Sequence, residues 1–539
     1  MVSLVQEAIG SFRASNPVLF YLSITGAAFA VFVAFLLEYL KPAGLRRLKN
    51  GKKPKLPPGP KGLPVLGHLL TLKNNRGDPD YKFVSLAPFR LRCSAARRKT
   101  DRRQKLRSLP KYGEMTTLHM GSKTWIVLNS KRVITEIINK RGSATNTRSP
   151  MPISSGIVSH GHRRSLVMTQ EKWGEPRRVM HHLLSGSALK QYGEWQELES
   201  TQMLAEYVLQ PQLWYRHHLR YANSVVIRIA LGERLRKTGK ELAELQDVVT
   251  MFVGSVASSI VDWFPQLVKL PRFLQPWRAY WDALDRWNYG VYSSWWIPAR
   301  DKVLNGTAPP SWVRDVVLNP ETRFRGDDDD AMYLALQLIE AGSDTTREGL
   351  NIMVMAALEQ PGYFKRLRAD IDALCGRDEN ARLPTLADAE NLRYVWAFAK
   401  ELLRWRPIFS LSPEHVSTQD IEFEGYSFPA GTGFVINMIT AGDECENPDV
   451  FDPDRWMDGH EMDIAHGLWQ FGGGRRICVG YRLAARSLFL TISRLVQCID
   501  FAAVRFSSYV FGFCVFFLFT YTGTPNLPLN RALTLDHET

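Results

Sequence analysis

The alternation of apolar and polar positions divides the chain into an apolar span, a proline-rich connector and a long body of mixed patterns. Pro17 to Leu37 is uncharged and almost wholly apolar, about 21 residues, enough to cross a bilayer core as a helix. It predicts a transmembrane anchor over 17–38 after a short segment 1–16. Residues 39–60 follow as a basic, proline-rich hinge ending in Leu56-Pro57-Pro58-Gly59-Pro60, a stiff connector by composition. The body then opens. Tyr112 to Met120 and Trp125 to Leu128 read as strands, Val133 to Lys140 as a helix, and Pro150 to Val167 as a loop. The stretch from Gly425 to Ile436 reads as a hairpin leading into a strand. Pro176 suits a first helical turn. Ala331 to Leu358 is long, mostly apolar and free of proline, which predicts a central helix. The acid run Asp327 to Asp330 stands at its start, where the helix dipole favours carboxylates.

Charge changes that picture in one respect. The net charge is +14 over 539 residues, which invites a nucleic-acid partner. Its placement argues against one. Lys41 to Lys61 contributes +8 and Arg90 to Lys111 contributes +9, so the remainder is slightly acidic. The first cluster follows the apolar span, and by the positive-inside rule it places the N-terminus in the lumen and the body in the cytosol. The six cysteines show no paired spacing, so neither a disulfide framework nor a zinc site is suggested.

The candidate chemistry centres on Phe471-Gly472-Gly473-Gly474-Arg475-Arg476-Ile477-Cys478-Val479-Gly480, a glycine-rich loop running into the apolar helix Tyr481 to Leu495. Backbone N–H groups and the positive end of the helix favour a thiolate at Cys478. The glycines leave room for a flat ligand, and Arg476 is close enough to meet a carboxylate of that ligand. Together these read as a thiolate ligand to haem iron, against the blander reading of a buried structural cysteine. In the middle of the apolar central helix stands Ala341-Gly342-Ser343-Asp344-Thr345-Thr346, and polar groups there need a reason. Gly342 permits close approach or a kink. Thr345 can bond a back carbonyl or a ligand, and Asp344 can relay protons.

Phe471-x-x-Gly474-x-Arg476-x-Cys478-x-Gly480 resembles the haem-binding signature of cytochrome P450 monooxygenases. Three further motifs match in the same order: Trp173-x-x-x-Arg177, Ala341-Gly342-x-Asp344-Thr345-Thr346 and Glu401-x-x-Arg404. The resemblance implies a mainly α fold with small β-sheets, the cytochrome P450 fold, as one domain over 61–500 preceded by the transmembrane helix. It implies haem b with Cys478 as axial iron ligand and Phe471 and Gly480 among the residues that bind the cofactor. Trp173, Arg177, Arg476 and His415 would meet the propionates, although His415 can equally be a surface histidine. Asp344 and Thr345 would manage protons. Glu401, Arg404 and Arg455 would form a buried structural triad. Ala341, Gly342, Ser410 and Leu411 are candidates for the substrate pocket, and the loop residues His160, His162, Arg163 and Arg164 for its rim. The aromatic-rich stretch Val261 to Trp296 would roof it.

The same resemblance, to fungal microsomal members acting on small aromatics such as phenylacetate or cresol, implies insertion of one oxygen atom from O2 into a small aromatic or polyketide-derived substrate of secondary metabolism. NADPH electrons would arrive through a flavoprotein reductase, with cytochrome b5 as an optional second donor. The site of action would be the endoplasmic reticulum membrane, with the catalytic body in the cytosol. A fatty-acid or terpenoid hydroxylase uses the same machinery and stays open. Two stretches depart from the family's pattern. Residues 85–109 read as an atypical basic insertion, the mark of a mistaken exon boundary, with a genuine surface insertion or an RNA- or lipid-binding tract as alternatives. Residues 501–539 read as an atypical apolar tail where the family has a hairpin. A non-functional product of an incorrect gene model is therefore the remaining alternative.

Overall fold

The computed structural model describes residues 25, 42–69, 103–182, 186–235, 239–377, 381–504 and 516–521. Apart from Thr25, the apolar span 17–38 lies outside them, as do 70–102 and the end of the chain. Among the described residues no helix is long and apolar enough to cross a membrane.

Nine helices of twelve residues or more, among the described residues, form the body: α1 Gln170–His181, α2 Gly186–Leu209, α3 Trp214–Leu231, α4 Lys240–Ser255, α5 Arg278–Leu304, α6 Asp328–Glu359, α7 Pro361–Cys375, α8 Arg393–Trp405 and α9 Tyr481–Cys498. α6 is the predicted central helix. Its acid run caps it: the Asp327 carboxylate accepts from the Asp330 N–H at 2.7 Å, and the Asp330 carboxylate accepts in return from the Asp327 N–H at 3.2 Å, a capping box that satisfies two orphan donors. α6 is buried because its neighbours reach it on several sides. A Cβ on Gly342 would stand 2.4 Å from the Val226 side chain of α3, and one on Gly349 would stand 3.0 Å from Leu488 of α9. Trp396 of α8 stacks on Phe489 of α9 with ring centroids 4.8 Å apart. One apolar core joins these helices.

The sheets sit at the edge of this body. β1 (Met115–Met120) and β2 (Lys123–Leu128) form an antiparallel pair. β6 (Gly433–Ile436) joins β2 in parallel and β3 (His415–Val416) in antiparallel register, with His415 opposite Phe434. β4 (Ile421–Phe423) and β5 (Tyr426–Phe428) make a separate hairpin. Its turn residues Glu424 and Gly425 both have positive φ, +49° and +75°, the geometry of the tight turns that match strand twist.

Four sequence expectations change. Pro176 is the seventh residue of α1, inside the helix and not in its first turn. The hinge is not a free connector at its end: Thr117 donates from N to Pro58 O at 3.1 Å and from Oγ1 to Pro57 O at 2.6 Å, so the proline segment lies along β1. The end of the basic tract is docked. Leu106 is buried, and Arg107 pairs with Asp443 and Asp449, each at 2.7 Å. Finally, the apolar stretch after Asp500 forms strand backbone: β7 (Ile499–Val504) pairs antiparallel with β8 (Phe516–Tyr521). Aromatic and β-branched residues favour a pleated surface, and fifteen apolar residues fall short of a span.

Candidate active site

The cysteine loop is shaped by its contact with the helical segment 131–140. Gly474 has φ +58°, and a Cβ there would stand 2.2 Å from Ile138 O; one on Gly473 would stand 2.8 Å from Asn139 Oδ1. Asn139 Oδ1 accepts from the Gly474 N–H at 2.8 Å. Those two glycines therefore let the loop lie directly against its protein neighbours. Beyond them a single turn, Gly474–Arg476, leads to Cys478, whose N–H donates to Phe471 O at 2.8 Å. α9 begins at Tyr481 with Gly480 as its cap. The Cys478 side chain lies deep in the protein and still keeps accessible surface. Burial pushes the thiol up, against the pull of the Gly480 N–H and the Arg177 guanidinium. The helix start alone does not make the thiolate; a coordinated cation would.

Beside Cys478 the fold gathers four basic side chains that hydrogen-bond to backbone carbonyls. Arg476 donates to Asn146 O at 2.7 Å, Met168 O at 2.8 Å and Ser165 O at 3.3 Å. Arg148 donates to Glu414 O at 2.6 Å, Leu166 O at 3.1 Å and Pro413 O at 3.4 Å. Arg177 donates to Ile477 O at 2.8 Å, and its Nε is buried without a partner. His415 Nδ1 lies 3.1 Å from Thr145 O. The Arg476 guanidinium stacks 4.2 Å from the Trp173 ring, and that of Arg177 lies 5.6 Å from it. Burial, then Arg148 and Arg177, bring Arg476 down to about 8. Burial brings Arg148 down to about 10 against the pull of Glu414, and burial with Arg148 and Arg476 holds His415 well below its usual range. Such a concentration of buried positive charge is unfavourable by itself. It fits a ligand carrying carboxylates, and a soft thiol beside it fits iron: the residues present suit haem, whose iron Cys478 would ligate and whose carboxylates Arg148, Arg177, Arg476, His415 and Trp173 would meet. Arg148 carried no motif in the sequence and is recognised only by position.

On α6, Thr345 Oγ1 donates to Ala341 O at 2.7 Å. Asp344 Oδ1 lies 2.9 Å from Arg347 Nη2, in poor hydrogen-bond alignment. Burial raises the Asp344 carboxyl, Arg347 lowers it and Glu340 raises it further, for a net rise. Ala341 is exposed although most of the surrounding helix is buried. A Cβ on Gly342 would meet Val226, so the absence of a side chain there lets α3 pack close to α6. Ser410 and Leu411 are half-buried. Ser410 O accepts from the Met438 N–H at 3.0 Å, and Leu411 packs with Trp125 and Val435 on the sheet. Two surface hollows of about 380 Å³ each are lined by residues such as Arg107 and Asp443, or Glu359 and Tyr363. Neither includes Cys478 or Thr345, and the side-chain chemistry, not hollow shape, locates the site.

The triad comes together behind the cysteine loop. Arg404 forks onto Glu401 at 2.7 and 2.8 Å, and Arg455 Nε lies 3.3 Å from Glu401 Oε2. Trp456 Nε1 and the Asp452 N–H add bonds to Glu401 at 2.9 and 2.8 Å. Arg404 also donates to Pro448 O and Val450 O at 2.8 and 3.0 Å, tying α8 to the segment that precedes the loop.

A family model described as cytochrome P450 matches residues 96–507. The match reaches back into the basic tract and forward through β7. The chain is 32% identical over 485 residues to the cytochrome P450 monooxygenase fogE of Aspergillus ruber, spanning 87% of this chain and 84% of that one. It is 30% identical over 469 residues to the cytochrome P450 monooxygenase virE of Hypocrea virens, spanning 84% and 80%. A solved zebra fish cytochrome P450 with abiraterone shares the fold at a TM-score of 0.60 and 21% identity, covering 78% of this chain and 98% of that one. The chain belongs to the cytochrome P450 family. It is accordingly an oxidoreductase of the monooxygenase class whose family cofactor is haem iron, and its fold is the mainly helical one with small sheets.

Proposed function

We propose that this protein is a membrane-anchored monooxygenase of fungal secondary metabolism that inserts one oxygen atom from O2 into a small aromatic or polyketide-derived substrate. One observation carries the catalytic part: the Cys478 thiol stands beside a group of cations, the buried Arg148 and Arg476 and the half-buried Arg177, bonded to carbonyls. Bound haem supplies the oxidation chemistry. The chain's own residues hold and orient it, and Asp344 and Thr345 handle protons on α6: burial favours the protonated Asp344 carboxyl, and the Thr345 hydroxyl is held one turn away at Ala341 O.

Electrons from NADPH would come through a flavoprotein reductase, with cytochrome b5 as a second donor, on the cytosolic face of the endoplasmic reticulum. The apolar run at 17–37 and the basic cluster after it support that placement. The fungal origin of the similar monooxygenases supports the metabolic setting.

The test is a reduced, carbon-monoxide difference spectrum of membranes containing the full chain. A thiolate-type Soret band is expected and should vanish in Cys478→Ala; its absence from the unmodified protein sinks the reading. Incubation with reductase, NADPH and panels of small phenols, fatty acids and terpenoids then sorts the substrate class. Oxygenated products from fatty acids or terpenoids alone would replace the aromatic assignment.

A further inference from the structure

One carboxylate stands against the cations beside Cys478. Glu414 directly precedes His415, and its carbonyl accepts from Arg148 Nη1 at 2.6 Å. Its side chain is only 8% exposed. Its charge pulls the Arg148 guanidinium up, against the burial that brings it down to about 10. The charges that act on Arg476 and His415 are those of other arginines. Cations gathered in a buried place disfavour one another, so the charge of Glu414 bears on the group and not on Arg148 alone.

The sheet is shaped to hold that carboxylate. Gly433 opens β6, and a Cβ there would stand 2.2 Å from Glu414 Oε1. Oε1 is buried without a hydrogen-bond partner among the described residues. Oε2 lies 3.9 Å from Nζ of Lys123, the first residue of β2. Lys123 is itself buried, with Nζ 5.4 Å from the Trp263 ring. Its charge also reaches Asp262, a fully buried carboxylate that accepts from the Ile153 and Ser154 N–H groups at 2.8 and 3.3 Å. At 3.9 Å the Lys123–Glu414 pair is too long for a hydrogen bond and holds little direction. What it carries is charge, in a place where salt screens weakly. Neither residue belongs to any of the four sequence motifs.

We propose that Glu414 and Lys123 are positioning residues that act through charge: Glu414 offsets the cations that would meet the haem carboxylates, Lys123 limits that offset, and together they set how readily the bound iron takes its first electron. The inference rests on the haem-thiolate reading above. Its sign follows from Coulomb's law. Reduction adds an electron, so a nearby negative charge disfavours it and a positive one favours it. The surroundings of a haem are one of the protein's means of setting its potential.

The test is a spectroelectrochemical titration of the holoprotein, read at the Soret band, in Glu414→Gln, Lys123→Met and the double variant. Gln keeps the shape of Glu and Met nearly that of the Lys stem, and the double variant strands neither partner. At the potential where the unmodified protein is half reduced, Glu414→Gln should raise the ferrous-to-ferric ratio at least about fivefold. For a one-electron couple that is a shift of about 40 mV. Lys123→Met should lower the ratio by about threefold, and the double variant should fall between the two. Loosened packing would move both single variants in the same direction. Ratios that move together, or that stay within about 1.5-fold of the unmodified protein, overturn the proposal and leave the haem-thiolate reading standing. If the unmodified protein shows no thiolate-type band with carbon monoxide, that reading itself fails and this proposal goes with it.

Discussion

At the scale of single residues, the site depends on backbone freedom as much as on reactive groups. Gly474 combines φ +58° with Ile138 O standing 2.2 Å from where a Cβ would lie. Gly474→Ala should therefore cost about 2–4 kcal/mol in urea unfolding and lower the haem content of purified protein, because the loop carrying Cys478 must shift. Thr345 is the opposite case, a residue whose loss should leave the fold alone. Its hydroxyl bonds its own helix at Ala341 O, so Thr345→Ala should melt within about 1 kcal/mol of the unmodified protein. Product formed per NADPH consumed should nevertheless fall on the order of tenfold, with peroxide taking its place. Thr345→Ser should restore most of the coupling. Equal coupling in Thr345→Ala and the unmodified protein would remove Thr345 from proton management.

At the scale of elements, two carboxylates do structural work that titration and mutation can read. Glu401 receives two arginines, an indole N–H and a backbone N–H while fully buried. Glu401→Gln strands the arginines, and unfolding should show a loss of roughly 3–5 kcal/mol. Asp388 sits in the short turn Leu386–Asp388 before α8, where Arg382 forks onto it at 2.6 and 2.7 Å and the Thr385 N–H adds a bond at 2.8 Å. Arg382 chiefly, with Thr385, outweighs burial and holds the carboxyl at about 2 against an ordinary 3.8. A depressed carboxyl stabilises the fold above its unfolded pKa, and that stability is lost as pH falls through the folded one. Arg382 is half-exposed, so the contribution is discounted to about 1–2 kcal/mol. Asp388→Asn should lose that much at pH 7, and the gap to the unmodified protein should close between about pH 4 and pH 2. A gap that persists at pH 2 would mean packing, not charge, holds the turn.

At the scale of the whole molecule, the body and its membrane attachment are separable claims. The helical body closes on one core around α6, and the end of the hinge lies along β1 through Thr117. The full chain should sediment with membranes, and removal of residues 1–38 should lower the membrane-bound fraction several-fold while the carbon-monoxide spectrum persists. An unchanged bound fraction would shift attachment to other surfaces, such as the aromatic stretch that became α5. The docked Arg103 and Arg107 place the last turn of the basic tract on Asp443 and Asp449.

The sequence by itself determined the parts that are local in the chain. Cys478 is recognisable from its loop, α6 from its proline-free apolar run and acid cap, and the strands β1, β2 and β6 from their alternation and turns. Those signals are short-range, because caps, turns and periodicity act within a few residues. The partnerships between distant residues were decided only by tertiary structure. Arg148 beside Arg476, Arg164 under Glu340, and Val226 filling the space at Gly342 all join positions far apart in the chain. No spacing rule reaches them: burial, which turns an ordinary arginine into a costly charge in need of a partner, exists only once the helices have packed.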